Sequence, residues 1–88
     1  MKKHIKVYFK FFDYGEQDFV ACEVCNKRAV DVHHIDIKGM GGSKLKDNIE
    51  NLIGLCRDCH NKAHRYDLTA EFLTMRHKYW MENKDKLV

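Results

Sequence analysis

The sequence predicts a small α+β domain organised around bound metal, in the order strand, glycine-rich loop, strand, helix. A short helix or strand precedes this core and an amphipathic helix follows it. Three observations predict it. Two CxxC pairs, Cys22/Cys25 and Cys56/Cys59, fall within a chain of 88 residues. Between them the β-branched, alternating stretch "AVDVHHIDI" carries two adjacent histidines. After the second pair, His60 and His64 stand at i, i+4, which puts both on one face of a helix.

Length and composition set the frame. A chain this short predicts one domain, residues 1–88, with its core at 20–66. It buries only a modest core, and small chains are often stapled by a metal or by disulfides. The N-terminus "MKKHIKVYFKFF" is basic, but Lys6 and Lys10 interrupt its apolar run, so it does not read as a secretory signal. No stretch approaches the roughly 20 apolar residues that span a bilayer, and no membrane partner is expected. A cytoplasmic chain keeps its thiols reduced, and there CxxC pairs read as metal ligands. The formal charge is +3, from 16 Lys plus Arg against 13 Asp plus Glu. Four thiolates around one Zn²⁺ subtract two charges and leave about +1. Net charge alone therefore does not announce a nucleic-acid binder. Any attraction for DNA must come from local placement of cations.

Residues 1–21 are aromatic and basic. Ile5, Tyr8, Phe9 and Phe12 fit a helical stripe, whereas Val7, Phe9 and Phe11 fit a strand. A short helix is the expectation and a strand the alternative. "AVDVHHIDI" reads as the first core strand, "KGMGGSKLKD" as a glycine-rich loop, "NLIGLC" as the second strand and "RDCHNKAHRY" as a helix. Gly39, Gly41 and Gly42 permit the turn. The loop is no P-loop, because its lysine and Ser/Thr are in the wrong order. Residues 67–84 read as an amphipathic helix capped by Asp67 or Thr69. Leu68, Phe72, Met75 and Tyr79 form its expected core stripe, with Leu73 and Trp80 beside it.

The cysteines predict a structural Zn²⁺ site. A two-residue gap lets a tight turn aim both sulfurs at one ion, and two such pairs complete a tetrahedron. Residues 26–55 separate the pairs, more than the usual gap of roughly 15–20 residues. The insertion contains both adjacent histidines and the glycine loop. Four unrelated buried cysteines would not fall into two CxxC units, and a redox pair would need a βαβ context that is missing. Such a site contributes about 10–16 kcal/mol of apparent binding energy, more than the stability of most domains, so folding is expected to depend on it.

A lone histidine is usually a satisfied core or surface residue. A doublet plus an i, i+4 pair is different. Neutral imidazole binds transition metals and acts as a base near pH 7. In a strand, His33 and His34 point to opposite faces. If His33 joins His60 and His64 around a metal, His34 is left to take a proton from water.

Together, "CEVC", "VDVHHI", "IENLIGLC" and "CRDCHNKAH" resemble the HNH endonuclease family, of the ββα-metal (His-Me finger) fold. The resemblance covers residues 22–64. It implies a DNA-hydrolysing nuclease using one divalent metal and leaving 5′-phosphate and 3′-hydroxyl ends. By position it implies His34 as general base and Asn51 as the residue that braces the loop and orients that base. It implies His33 and His60 as ligands of the catalytic metal and His64 as the additional ligand of the colicin-type branch. Cys22, Cys25, Cys56 and Cys59 resemble the family's zinc knuckle. His33 stands where many members have Asp, which makes the site softer. Two or three imidazoles suit Zn²⁺, Ni²⁺, Co²⁺ or Mn²⁺ better than Mg²⁺. Arg57, Lys62 and Arg65 on the helix, and Lys38, Lys44 and Lys46 around the loop, are candidate phosphate contacts, with a solvated face as the alternative. The resemblance also implies a phage or mobile-element setting, in a bacterial or phage-infected cell, beside DNA-packaging or other DNA-processing proteins. The competing class is a catalytically silent zinc module that binds DNA or protein. Such a module needs none of His33, His34, Asn51, His60 and His64.

Overall fold

The computed structural model describes residues 1–35 and 46–84. Among them are three helices and one two-stranded sheet: α1 (Lys3–Phe12), β1 (Asp31–His34), β2 (Leu52–Leu55), α2 (Arg57–His64) and α3 (Ala70–Glu82). A 3₁₀ turn, Ile49–Asn51, leads directly into β2. The small α+β class expected from the sequence is the one observed, and the N-terminal segment resolves to the helix rather than the strand.

β1 and β2 pair antiparallel, with Asp31 opposite Leu55, Val32 opposite Gly54, His33 opposite Ile53 and His34 opposite Leu52. Side chains alternate across a pleated pair, so each face takes every second residue. On one face Val32 and Leu52 pack with Tyr8 of α1. Ile53 and Leu55 of the other face pack with Ile35, the buried cysteines, Ala63 of α2 and Leu73 of α3. The sheet is thus a partition with α1 on one side and α2 on the other. Gly54 is required where α1 closes down: a Cβ there would lie 2.9 Å from the Tyr8 hydroxyl oxygen.

The segments are shorter than the sequence pattern. The first strand ends at His34, and residues 36 and 37 of its expected range lie outside the described residues. Asn51 belongs to the 3₁₀ turn, and Cys56 is the N-cap of α2. α2 stops at His64, with Tyr66 at φ 63. Of the two candidate caps for α3, Thr69 takes the role: its Oγ1 accepts from the Phe72 N–H at 3.1 Å. Asp67 instead pairs with Arg65.

Leu68 and Phe72 of the expected α3 stripe pack against the core, but its other two positions require correction. Met75 and Tyr79 are exposed, at 63 % and 53 %, and the buried residues are Leu73, His77 and Trp80. The apolar pattern omitted His77 because it is polar. Its partner is Glu23, fully buried between the first two cysteines. The two Glu23 oxygens lie 2.9 and 3.0 Å from His77 Nδ1, and the Tyr8 hydroxyl donates to the same carboxyl. His77 Nε2 faces the Ile49 carbonyl at 2.5 Å, and a carbonyl only accepts, so Nε2 carries a proton. Another proton lies between Nδ1 and Glu23. Burial pushes the Glu23 carboxyl up, and the bond and charge of His77 oppose that shift. Arg76 Nη2 donates to the Glu23 backbone carbonyl at 2.9 Å, and the Glu23 N–H donates to Gly54 at 3.0 Å. Glu23, through its carboxyl and its backbone, thereby joins the cysteine turn to α1, β2, the 3₁₀ turn and α3. Leaving it without its imidazole is costly in a low-dielectric interior.

His77→Ala is therefore expected to destabilise the metal-loaded chain by about 3–5 kcal/mol, because it strands a buried carboxyl. Tyr8→Phe should cost about 1–3 kcal/mol, since it removes one donor and keeps the pair. Urea unfolding at neutral pH with zinc retained checks both, and equal losses for the two variants would contradict this assignment of roles.

Candidate functional site

The cysteine cluster is built from two tight local turns. Around Cys22 the chain doubles back: the Asn26 N–H donates to the Cys22 carbonyl at 2.9 Å, and the Cys22 N–H to the Lys27 carbonyl at 2.7 Å. Asn26, at φ 69, makes the turn. The second pair spans the first turn of α2, where Cys56 Sγ accepts from the Cys59 N–H at 3.4 Å. Long-range pairing then brings the halves together, and all four sulfurs lie within 4.8 Å of one another. The Cys25 and Cys56 sulfurs are 3.5 Å apart, far beyond the roughly 2.05 Å of a disulfide. Tetrahedral zinc at about 2.3 Å from each sulfur separates the sulfurs by about 3.8 Å. The donor set therefore fits Zn²⁺ and closes it off on all four sides. Burial pushes the Cys56 thiol up, but the Cys59 N–H and the neighbouring sulfurs outweigh it and bring it down to about 7. Burial and the adjacent sulfurs push Cys59 up. An ion that attracts all four thiolates removes this conflict.

A second cluster lies on the same, α2 side of the sheet. His33 of β1 meets His60 and His64 of α2, with one ring nitrogen of each within 4.8 Å of the others. The His60 and His64 Nε2 atoms are 3.1 Å apart. Ligands at about 2.1 Å on adjacent vertices of a metal polyhedron are separated by about 3.0–3.4 Å. Burial, then the His64 ring, lowers the pKa of His60. That favours the neutral imidazole a metal requires. Asp31 Oδ2 stands 4.0 Å from His60 Nε2 and adds an anionic group at the edge.

His34, on the other face, has a different set of neighbours. Its Nε2 is 2.9 Å from Asp47 Oδ1, and its ring centroid is 4.7 Å from that of His4 in α1. The bond with His34 holds the Asp47 carboxyl below its usual range. Burial, then the His34 ring, lowers His4. Asn51 is fully buried beneath this segment. Its Nδ2 donates to the Lys46 carbonyl at 2.9 Å, and its own carbonyl accepts from Ile35 at 2.8 Å. It thus ties the residue next to Asp47 to the end of β1. Both imidazole groups, together with Lys2 and Asp31, line one open cleft of about 440 Å³.

The candidate site residues divide accordingly. The four cysteines come together, and so do His33, His60 and His64, while His34 faces the opposite side of the strand. Arg57 lies near enough to His60 to lower its pKa. Arg65 pairs with Asp67 at 3.1 Å, and Lys62 is exposed on α2. Lys38 and Lys44 lie outside the described residues. His4, Asp47, Asp31 and Lys2 were not anticipated. His4 and Lys2 belong to no motif, and only the packing of α1 carries them to the cleft.

A two-stranded antiparallel sheet followed by a helix, with imidazoles from strand and helix converging beside a cysteine cluster, is compatible with a ββα-metal core. A family model described as HNH endonuclease matches residues 22–66, and the chain belongs to that family. It is therefore a nuclease-type domain. No curated protein and no solved structure matches the chain. No helix among the described residues is long and apolar enough to cross a membrane.

Protein purified without added metal is expected to carry one zinc per chain at the cysteines by elemental analysis. Cys56→Ser should lose that zinc and yield unfolded or insoluble chain. A well-folded, zinc-free variant lacking all four cysteines would contradict a structural role.

Proposed function

We propose that this chain is a metal-dependent endonuclease that hydrolyses DNA phosphodiester bonds, with His34 as general base. The observation that carries the reading is the divergence of two adjacent histidines into one cleft. His33 joins the imidazole pair of α2, while His34 is held by a carboxylate on the opposite face.

His33, His60 and His64 would hold a divalent ion, which would supply positive charge for a scissile phosphate and its leaving 3′ oxygen. Mn²⁺, Ni²⁺, Co²⁺ and Zn²⁺ suit three imidazoles better than Mg²⁺. The remaining work belongs to side chains. Asp47, ionised, only accepts hydrogen bonds, so the proton of a neutral His34 sits on Nε2, facing it. That leaves Nδ1 as the basic nitrogen, the one that removes a proton from an in-line water. Asp47 then stabilises the imidazolium that forms, as an orienting carboxylate does beside other catalytic histidines. Asn51 supports this pair by pinning Lys46. Lys2 and Arg57, close to the imidazole group, are available to receive backbone phosphates, and departure of the 3′ oxygen leaves 5′-phosphate and 3′-hydroxyl ends.

His34→Ala is expected to slow nicking of supercoiled plasmid in saturating Mn²⁺ by about 10²–10⁴-fold. Gel-shift affinity for DNA and the content of cysteine-bound zinc should persist. Cutting at the parental rate would remove His34 from the base role. His33→Ala and His60→Ala should weaken calorimetric Mn²⁺ binding with zinc retained, and His64→Ala should weaken it less. Unchanged affinity in the His60 variant would place the catalytic metal elsewhere.

A further inference from the structure

We propose that His4, His34 and Asp47 form a second transition-metal site, one that prefers Zn²⁺ to Mn²⁺ and whose occupation switches the nuclease off. One ligand atom from each of the three lies within 4.8 Å of the other two. Two imidazoles and one carboxylate are a donor set that binds Zn²⁺ with a vertex left open. His34 Nε2 and Asp47 Oδ1 stand 2.9 Å apart, close to the spacing of neighbouring ligands on one ion. The donors come from three separate elements: the start of α1, the end of β1 and the segment before the 3₁₀ turn. All three side chains are partly buried.

This site is distinct from the imidazole trio. His33 and His34 point to opposite faces of β1, so no single ion takes both without breaking the strand. The consequence for His34 follows from its two nitrogens. In the free chain Nε2 carries the proton and Nδ1 is basic. A metal on Nε2 displaces that proton from Nε2, and the neutral ring keeps one proton by moving it to Nδ1. The lone pair that would accept a proton from water is then occupied. This inhibitory consequence rests on His34 being the base, whereas the metal site does not. Zn²⁺ binds such nitrogen-rich sites more tightly than Mn²⁺, so it occupies this site at concentrations where Mn²⁺ does not.

The test begins with the chain carrying its cysteine-bound zinc. Further Zn²⁺ is titrated against a chromophoric chelator, and ions bound per chain are counted. Two ions beyond the cysteine zinc are expected for the parent and one each for His4→Ala, Asp47→Asn and His60→Ala. His4→Ala combined with His60→Ala should bind neither. Retention of the cysteine zinc and of the far-ultraviolet spectrum reports that each variant is folded, and Asp47→Asn keeps the side chain's shape. A parental ion count in both His4→Ala and Asp47→Asn overturns the site. Plasmid nicking in Mn²⁺ with rising Zn²⁺ gives the second readout, with each variant normalised to its own zinc-free rate. The inhibition midpoint should rise at least about 10-fold in His4→Ala, since losing a ligand costs no less than losing a group that merely orients one. If the ion count falls and the midpoint stays, the switch is overturned and the site stands. If the parent cuts no DNA under any metal, the nuclease reading fails, and the ion count still decides the site.

Discussion

The pleat of one four-residue strand organises this molecule. Successive side chains of β1 must point to opposite faces, and the two faces are packed by different helices. Everything on the α2 side follows from Ile53, Leu55 and His33. Everything on the α1 side follows from Val32, Leu52 and His34. A slip of one residue in register would exchange the histidines and place Val32 against the cysteine side. Two adjacent imidazoles can therefore have two separate environments a few ångströms apart, one made of further imidazoles and one containing a carboxylate.

A partition this short is not stable on its own, since two strands bury too little surface. Its support comes from the two halves of the cysteine cluster, which join the chain before β1 to the start of α2. Glu23 extends the support outward. Lying between Cys22 and Cys25, it is held by Tyr8 and His77, from the two helices that do not contribute to the cysteine cluster. A carboxyl in the core would ordinarily weaken a small domain. Here it fixes the direction from which α1 and α3 approach the cysteine turn, because apolar packing alone tolerates rotation of a helix about its axis. The position of α1 then matters beyond stability, because its first turn brings Lys2 and His4 to the cleft.

The candidate site was legible where its residues are close in sequence. The CxxC spacing, the i, i+4 histidines and the alternation at His33 and His34 each impose a geometry over a few residues, and that geometry survives folding. The rest of the site depends on contacts between distant segments. Asp47 meets His34 across the end of a long connection, and His4 meets it from the far end of the chain. Neither carries a spacing signal, because no local periodicity relates the partners. The core of α3 was misread for a related reason. A stripe of apolar residues predicts which face is buried only if the core is apolar. At His77 the core presents a carboxyl, so the helix turns a polar residue inward and leaves Met75 and Tyr79 in solvent.

By itself the sequence determined the class of the fold, the order of its elements, the two cysteine turns and the divergence of the histidine doublet. Those depend on backbone periodicity and on donor spacing within single turns. Tertiary structure decided what each histidine faces, which helix face is buried and which N-terminal residues enter the cleft. These outcomes depend on how helices are rotated and docked across a partition. Rotation is settled by buried polar partners and steric gaps, such as Glu23 and Gly54, whose effect is exerted on residues remote in the chain.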